Sequence, residues 1–134
     1  MSIAGTYRLK KAFNGFTDDF EMKFISREDA LKLTVKKNSD DGDIMAMMFA
    51  RMIIEVSETE LLMKYDTEFD EIAKKLAKAN DMKATDGKYS VIKYTLKKKK
   101  GNTYQIKSED GEEDEEITFN DNDFELAYNT YERF

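Results

Sequence analysis

Apolar and polar residues alternate from the start of the chain. In "IAGTYRLKK", residues 3–11, Ile3, Gly5, Tyr7 and Leu9 fall on one face and Ala4, Thr6, Arg8 and Lys10 on the other. A period of two marks a half-buried strand. In "FNGFTDDFEMKFI" the residues Phe20, Met22 and Phe24 continue the alternation as a short extended piece. The period then changes. Ser26 stands at an N-cap position before "REDALKLTVKK", with Asp29 three residues on, and predicts a short helix over 27–36. "NSDDGD" reads as a turn, and Asp43 as the cap of "IMAMMFARM", residues 44–52. On a helix, Ile44, Met45, Met48, Phe49 and Met52 share an arc of about 140°. Met48 is at its centre, Ala46 and Ala50 lie opposite, and Met47 and Arg51 sit at one edge.

"MIIEVSETELLMKYD" predicts a β-hairpin turning at "SETE", with Leu61, Met63 and Tyr65 on one face. "TEFDEIAKKLAKA", residues 67–79, predicts a helix capped by Thr67 and ended at Asn80. Its acids lie at the start and its lysines at the end, as the helix dipole favours. Beyond residue 88 the pattern is a strand meander. Ile92, Tyr94 and Leu96 mark one strand, "KKKKGNT" a turn, Tyr104 and Ile106 the return, and "EDGEEDEE" a second turn. Ile117 and Phe119 follow, then "NDND", then a long final strand with Phe124, Leu126 and Tyr128. Lysines dominate residues 83–100, and every charge in 109–125 is acidic. Adjacent strands of opposite sign attract across a ladder. The expected fold is mainly β. It is an antiparallel up-and-down meander or barrel in one domain, with two or three short helices between residues 26 and 80.

Composition narrows the chemistry. The chain has 134 residues, 37% of them charged, and a net charge of −6. That balance repels phosphates and argues against nucleic acid as a partner. There is no cysteine and no histidine. The commonest general base, zinc ligand and nucleophile pairs are therefore missing. No catalytic residue, cofactor or metal site is expected, and the protein is read as a non-enzyme. The longest strongly apolar run, Ile44 to Ala50, is far short of the roughly 20 residues that span a bilayer. The N-terminus lacks a signal peptide's apolar core. A cytoplasmic protein without a membrane span, a monomer or weak dimer, is the expectation. The lysine run 97–100 reads as a solvated hairpin tip, and the acidic run 109–116 lacks the spacing of a calcium loop.

"GTYRL" near the start and "YNTYERF" at the end, around helices and an antiparallel meander, resemble the calycin group: lipocalins and fatty-acid-binding proteins. "GTYRL" is similar to the lipocalin Gly-x-Trp signature, with Tyr7 in place of Trp. In fatty-acid-binding proteins an Arg-x-Tyr pair on the last strand holds the lipid carboxylate. Here the matching triplet is Asn129-Thr130-Tyr131, in which Tyr131 matches and Asn129 replaces the arginine. The helix at 67–79 interrupts the family's run of strands. A compact bacterial lipocalin-like variant with fewer strands fits this pattern.

The resemblance implies a small hydrophobic, amphipathic or lipid-like ligand inside the barrel. Candidate contacts from the strands are Tyr7, Leu9, Met63, Tyr65, Tyr94, Tyr104, Phe119 and Tyr128. Met45, Met48 and Met52 would form an adaptable lid, and Arg51 would meet a ligand's acidic group. The alternative is a structural or protein-interaction domain whose barrel is filled by its own side chains, with the Met-rich helix as a core plug. An apolar cavity of at least a few hundred Å³ beneath residues 45–52 separates the two readings.

Overall fold

The computed structural model describes residues 2–34, 36, 40–79, 87–108 and 114–134. Its elements in chain order are β1 (Gly5–Phe16), β2 (Met22–Ser26), α1 (Arg27–Lys32), α2 (Asp41–Ala50), β3 (Ile53–Val56) and β4 (Glu60–Asp66). There follow α3 (Glu71–Ala79), β5 (Tyr89–Lys100), β6 (Thr103–Ser108), β7 (Asp114–Thr118), β8 (Asp123–Leu126) and β9 (Asn129–Arg133). The strands form one antiparallel sheet in the order β7-β6-β5-β4-β3-β1-β9-β8, with β2 also on β1. β1 is the hub. One edge pairs with β3 over Gly5–Arg8 and with β2 from Lys11 onward. Its other edge pairs with β9. A single bridge, Phe119 to Phe124, joins the two ends of the sheet. The result is a nearly closed antiparallel barrel with short helices between residues 26 and 80, as the alternation predicts.

The inward phase of β1 follows the sequence pattern and then shifts. Tyr7 and Leu9 are fully buried. A register shift between Leu9 and Lys11 inserts one residue, so the next buried position is Ala12 rather than Lys11. Tyr7 Oη donates to the Ile3 carbonyl at 2.8 Å and accepts from Arg133 Nη2 at 2.8 Å. The guanidinium of Arg133 also lies over the Tyr7 ring, 5.4 Å from its centroid. The first and last strands are thereby tied together at the buried end of the barrel.

The helices depart from expectation in informative ways. Ser26 caps α1 as read, accepting from Asp29 N at 3.2 Å, but the helix stops at Lys32 and Leu33 is extended. α2 is capped by Asp40, not Asp43: the Asp40 carboxylate accepts from Gly42 N at 2.7 Å. Its buried face is Ala46, Met47 and Ala50, whereas Met45 is 45% exposed and Met48 only half-buried. The arc centred on Met48 is therefore rotated. Ala12, Ala30, Ala46 and Ala50 are all buried. Small side chains at these contacts let α1, α2 and β1 approach closely, and that proximity outweighs the size of the methionines. α3 starts at Glu71, because Thr67 is engaged elsewhere. The Thr67 N–H and hydroxyl both donate to the Lys88 carbonyl, tying the end of β4 to the start of β5. The expected cap at Asn80 and most of the "EDGEEDEE" turn lie outside the described residues.

Two strand readings are also corrected. The lysine run is not a hairpin tip: β5 continues to Lys100 and turns at Gly101-Asn102. Nor is the acidic strand its neighbour, since β6 lies between, although Lys99 Nζ reaches Glu116 Oε1 at 2.9 Å. The long final strand is a hairpin, β8 and β9, turning at Ala127 and Tyr128, with φ of 51° and 69°. Two consecutive positive φ values give the primed turn that matches strand twist. Asn-Gly would announce it, and Ala-Tyr does not. Tyr128 consequently sits on the turn, 61% exposed. Among the described residues no helix is long and apolar enough to cross a membrane.

Candidate functional site

The barrel interior has two unlike ends. One is filled by aromatic rings. Phe124 packs against Tyr7, Phe119 and Tyr131 at centroid distances of 5.1, 4.9 and 5.3 Å, and Tyr104 meets Phe119 edge-on at 5.7 Å. Each of these rings is buried, with Ile3, Leu61 and Ile117 around them. The other end holds a pocket of about 170 Å³ beneath α2. Phe49 of α2 forms its lid side, and Met63 and Tyr65 of β4 one wall. Tyr94 and Ile106, of β5 and β6, continue that wall. Leu126, Asn129 and Tyr131 of the last hairpin form the opposite wall, with Ala127 and Glu115 at the edge. The Phe49 and Tyr65 rings lie 6.3 Å apart, so the helix reaches the strand wall through an aromatic contact.

The polar groups of the pocket are fixed by their own bonds. Asn129 is 3% exposed. Its Oδ1 accepts from the Phe13 N–H at 2.9 Å, and its Nδ2 donates to Tyr131 Oη at 3.1 Å. Both ends of the amide are used, which sets its orientation. Burial pushes the Tyr131 phenol up to about 12, against the Asn129 hydrogen bond, which acts to lower it. The phenol is therefore neutral at physiological pH and keeps its O–H to donate. Tyr65 Oη donates to Met63 Sδ at 3.6 Å.

A surface depression adjoins the pocket along the β7–β8 seam. These strands meet at the Phe119–Phe124 bridge and pair otherwise with β6 and β9 respectively. Away from the bridge a depression is lined by Glu115 and Glu116 on β7 and by Glu125, Leu126, Ala127 and Tyr128. Glu115, Leu126 and Ala127 belong to both this depression and the pocket. Like charges on facing strands oppose pairing. The seam closes at the Phe119–Phe124 bridge, and beyond it the three glutamates, of which Glu116 is paired with Lys99, line the depression.

Of the residues expected to contact a ligand, the pocket brings together Met63, Tyr65 and Tyr94. Tyr7, Leu9, Tyr104 and Phe119 are buried in the filled core instead, where they touch other side chains. Met45 faces outward, Met48 does not line the pocket, and Tyr128 is on the turn. Arg51 and Met52 line a separate outer concavity. Met52 is buried but follows the helix rather than belonging to it. Phe49, Ile106, Leu126 and Asn129 were not singled out as contacts by the sequence. Phe49 lies on the helical arc already read, Ile106 and Leu126 carry an apolar phase that the strand alternation contains, and Asn129 carries no signal beyond its place in the Asn-Thr-Tyr triplet. Among the described residues no group of three or more acidic side chains is arranged to hold a metal ion. No protein-family model matches the chain, no curated protein matches it, and no solved structure matches it significantly.

Proposed function

We propose that this is a non-enzymatic binding protein of calycin-like design, which holds one compact, neutral ligand in the pocket beneath α2. The observation that carries this reading is the pocket itself: about 170 Å³, walled by Phe49, Met63, Tyr65, Tyr94 and Ile106, with Asn129 and Tyr131 in the opposite wall. An apolar cavity of about 150 Å³ accepts a benzene-sized molecule. The pocket falls short of the few hundred Å³ expected beneath residues 45–52 for a lipid-like ligand, whose sites run to about 300–1,000 Å³, and that shortfall restricts the proposal to a much smaller ligand. A single ring with one hydrogen-bonding group suits the space, and a long acyl chain does not. Charge points the same way. The rim carries Glu115, and Asn129 stands where a carboxylate-binding arginine would be needed. An anionic head would meet repulsion at the entrance and no cation inside.

The alternative, a filled structural barrel, draws support from the aromatic packing of the other end. It differs in expecting no saturable ligand. Titration with 4-methylphenol, followed by NMR of the Met63 methyl and the Tyr65 and Tyr131 rings, tests the proposal. Saturable shifts confined to these residues support it. Shifts that grow linearly and spread over the surface favour the filled barrel.

A further inference from the structure

On the outer face of β1, opposite Tyr7 and Leu9, lies a second concavity of about 490 Å³. Four cations line it, namely Arg8 on β1, Arg27 at the start of α1, Arg51 after α2 and Lys88 before β5. Among the described residues that line it, the single side-chain carboxylate is Asp66. In a chain of net charge −6 this is a local reversal of sign. Lys88 Nζ pairs with Asp66 Oδ2 at 3.0 Å, and Asp66 Oδ1 accepts from Glu68 N at 2.9 Å. That carboxylate is engaged by Lys88 and also acts on Arg51, while Arg8 is ion-paired with Glu132 beside the groove.

Arg51 is held in place. Its Nη1 donates to the Met47 carbonyl at 3.0 Å and its Nη2 to the Leu31 carbonyl at 3.4 Å, while its guanidinium lies 4.4 Å from the Phe69 centroid. Carbonyls and a ring orient the charge, which Asp66 and Asp70 offset in part. Burial lowers the Arg51 pKa, the nearby Arg27 adds to that effect, and Asp66 and Asp70 oppose it. Arg8 lies 5.0 Å from the Phe134 centroid. Glu132 Oε1 is 3.7 Å from Arg8 Nε, too far for a hydrogen bond. Among the described residues the Nε atoms of Arg8, Arg27 and, outside the groove, Arg133 are shut away from solvent with no hydrogen-bond partner. Buried donors without acceptors are uncommon in folded proteins and ask for an explanation. The rest of the lining is apolar: Leu31, Ala50, Met52 and Ile53, with the rings of Phe69 and Phe134.

We infer that this groove binds an amphipathic oxyanion, a carboxylate or phosphate monoester carried on a short apolar body. Guanidinium forks match the paired oxygens of both head groups, and their charge-assisted hydrogen bonds are the strong ones. The Nε atoms of Arg8 and Arg27 are themselves shut away from solvent, so the head group would meet the terminal amino groups of these forks. The apolar lining takes the body. The same ligand is unsuited to the interior pocket, whose rim is acidic, so the two sites select opposite chemistry and stand independently.

The test follows the arginine Nε–Hε resonances of the full chain at constant ionic strength. The probes are octyl phosphate below its micelle concentration, octanoate and inorganic phosphate. Octyl phosphate and octanoate are expected to give saturable shifts at Arg8 and Arg27, with inorganic phosphate weaker by about tenfold or more for want of the apolar contact. Arg8→Gln and Arg27→Gln should each weaken octyl phosphate by about tenfold while leaving the thermal midpoint nearly unchanged. Arg51 is left intact because it anchors two helices. Saturation with 4-methylphenol should leave the octyl phosphate titration unaltered, so this inference and the interior-pocket reading fail separately. Inorganic phosphate binding as tightly as octyl phosphate would overturn the amphipathic assignment. Shifts that only track ionic strength, or unchanged binding in both glutamine variants, would overturn the site.

Discussion

Asn129 and Tyr131 stand two residues apart on the same face of β9, and the Asn129 amide donates to the Tyr131 hydroxyl at 3.1 Å. The other end of that amide accepts from the Phe13 backbone at 2.9 Å. One side chain therefore anchors the pocket's polar wall to β1, near the point where β1 is shared between β2 and β9. The site is held by the sheet that surrounds it rather than by a loop. That is the arrangement a preorganised ligand pocket requires.

Removing the amide should be costly. Asn129→Leu leaves the Phe13 N–H without an acceptor and is expected to destabilise the fold by about 1–3 kcal/mol. Urea denaturation should show a lower midpoint with an unchanged slope. A midpoint equal to that of the wild type would mean that the Phe13 N–H finds another partner.

The Tyr131 phenol gives a pH signature. An unfolded tyrosine titrates near 10, and in the folded protein Tyr131 is pushed up to about 12. Below pH ~10 both states keep the proton, and the neutral phenol's contribution to stability is fully present. Between about 10 and 12 only the unfolded state loses the proton, so stability falls as pH rises, by an amount on the order of 2 kcal/mol. Chemical denaturation of wild type and Tyr131→Phe across pH 9 to 11.5 isolates the effect, because the other tyrosines are common to both. The variant should show the shallower alkaline decline; parallel curves would contradict the assignment.

The phase of α2 predicts an ordering among its methionines. Met47 is 1% exposed and Met45 is 45% exposed. Met47→Ala should lower stability by about 2–5 kcal/mol, as core truncations do, and Met45→Ala by under about 0.5 kcal/mol. Thermal melts of the two variants check this, and a larger loss in Met45→Ala would restore the arc centred on Met48.

That arc shows where the sequence is legible and where it is not. Strand alternation identified the inward faces at Tyr7, Leu9, Leu61 and Met63, because one face of a barrel wall must be apolar whatever the neighbours are. The face of α2 depends instead on how near the helix comes to β1. Alanines on both elements decide that distance, and no hydropathy pattern records it. The β8–β9 turn was invisible for a similar reason. Ala127 and Tyr128 adopt positive φ because the flanking strands demand it, at a cost of about 1–2 kcal/mol per residue. Asn129 was missed as a site residue because its role rests on a partner at Phe13, which lies next to it only in the folded barrel.

The open seam should respond to charge. Glu125→Lys places a cation opposite Glu115 and beside the Lys99–Glu116 pair, and favourable cross-strand charge pairs contribute about 0.2–1 kcal/mol. Hydrogen exchange at Glu115, Glu116 and Leu126 should slow, and the entry of 4-methylphenol should slow with it. Faster entry, or unchanged exchange, would mean that the glutamates do not hold the seam apart.

The central claim, a ring-sized binding pocket beneath α2, is tested most directly by calorimetric titration of 4-methylphenol into wild type and into Leu126→Phe. Leu126 lines the pocket at its mouth, so the larger side chain fills the space a ligand would occupy. The expected result is one saturable site in the wild type, with a dissociation constant of about 1 mM or tighter for so small a ligand, and no measurable heat in a variant that still melts cooperatively. Equal heats in the two proteins, or none in the wild type, would contradict the account and leave the filled barrel as the better description.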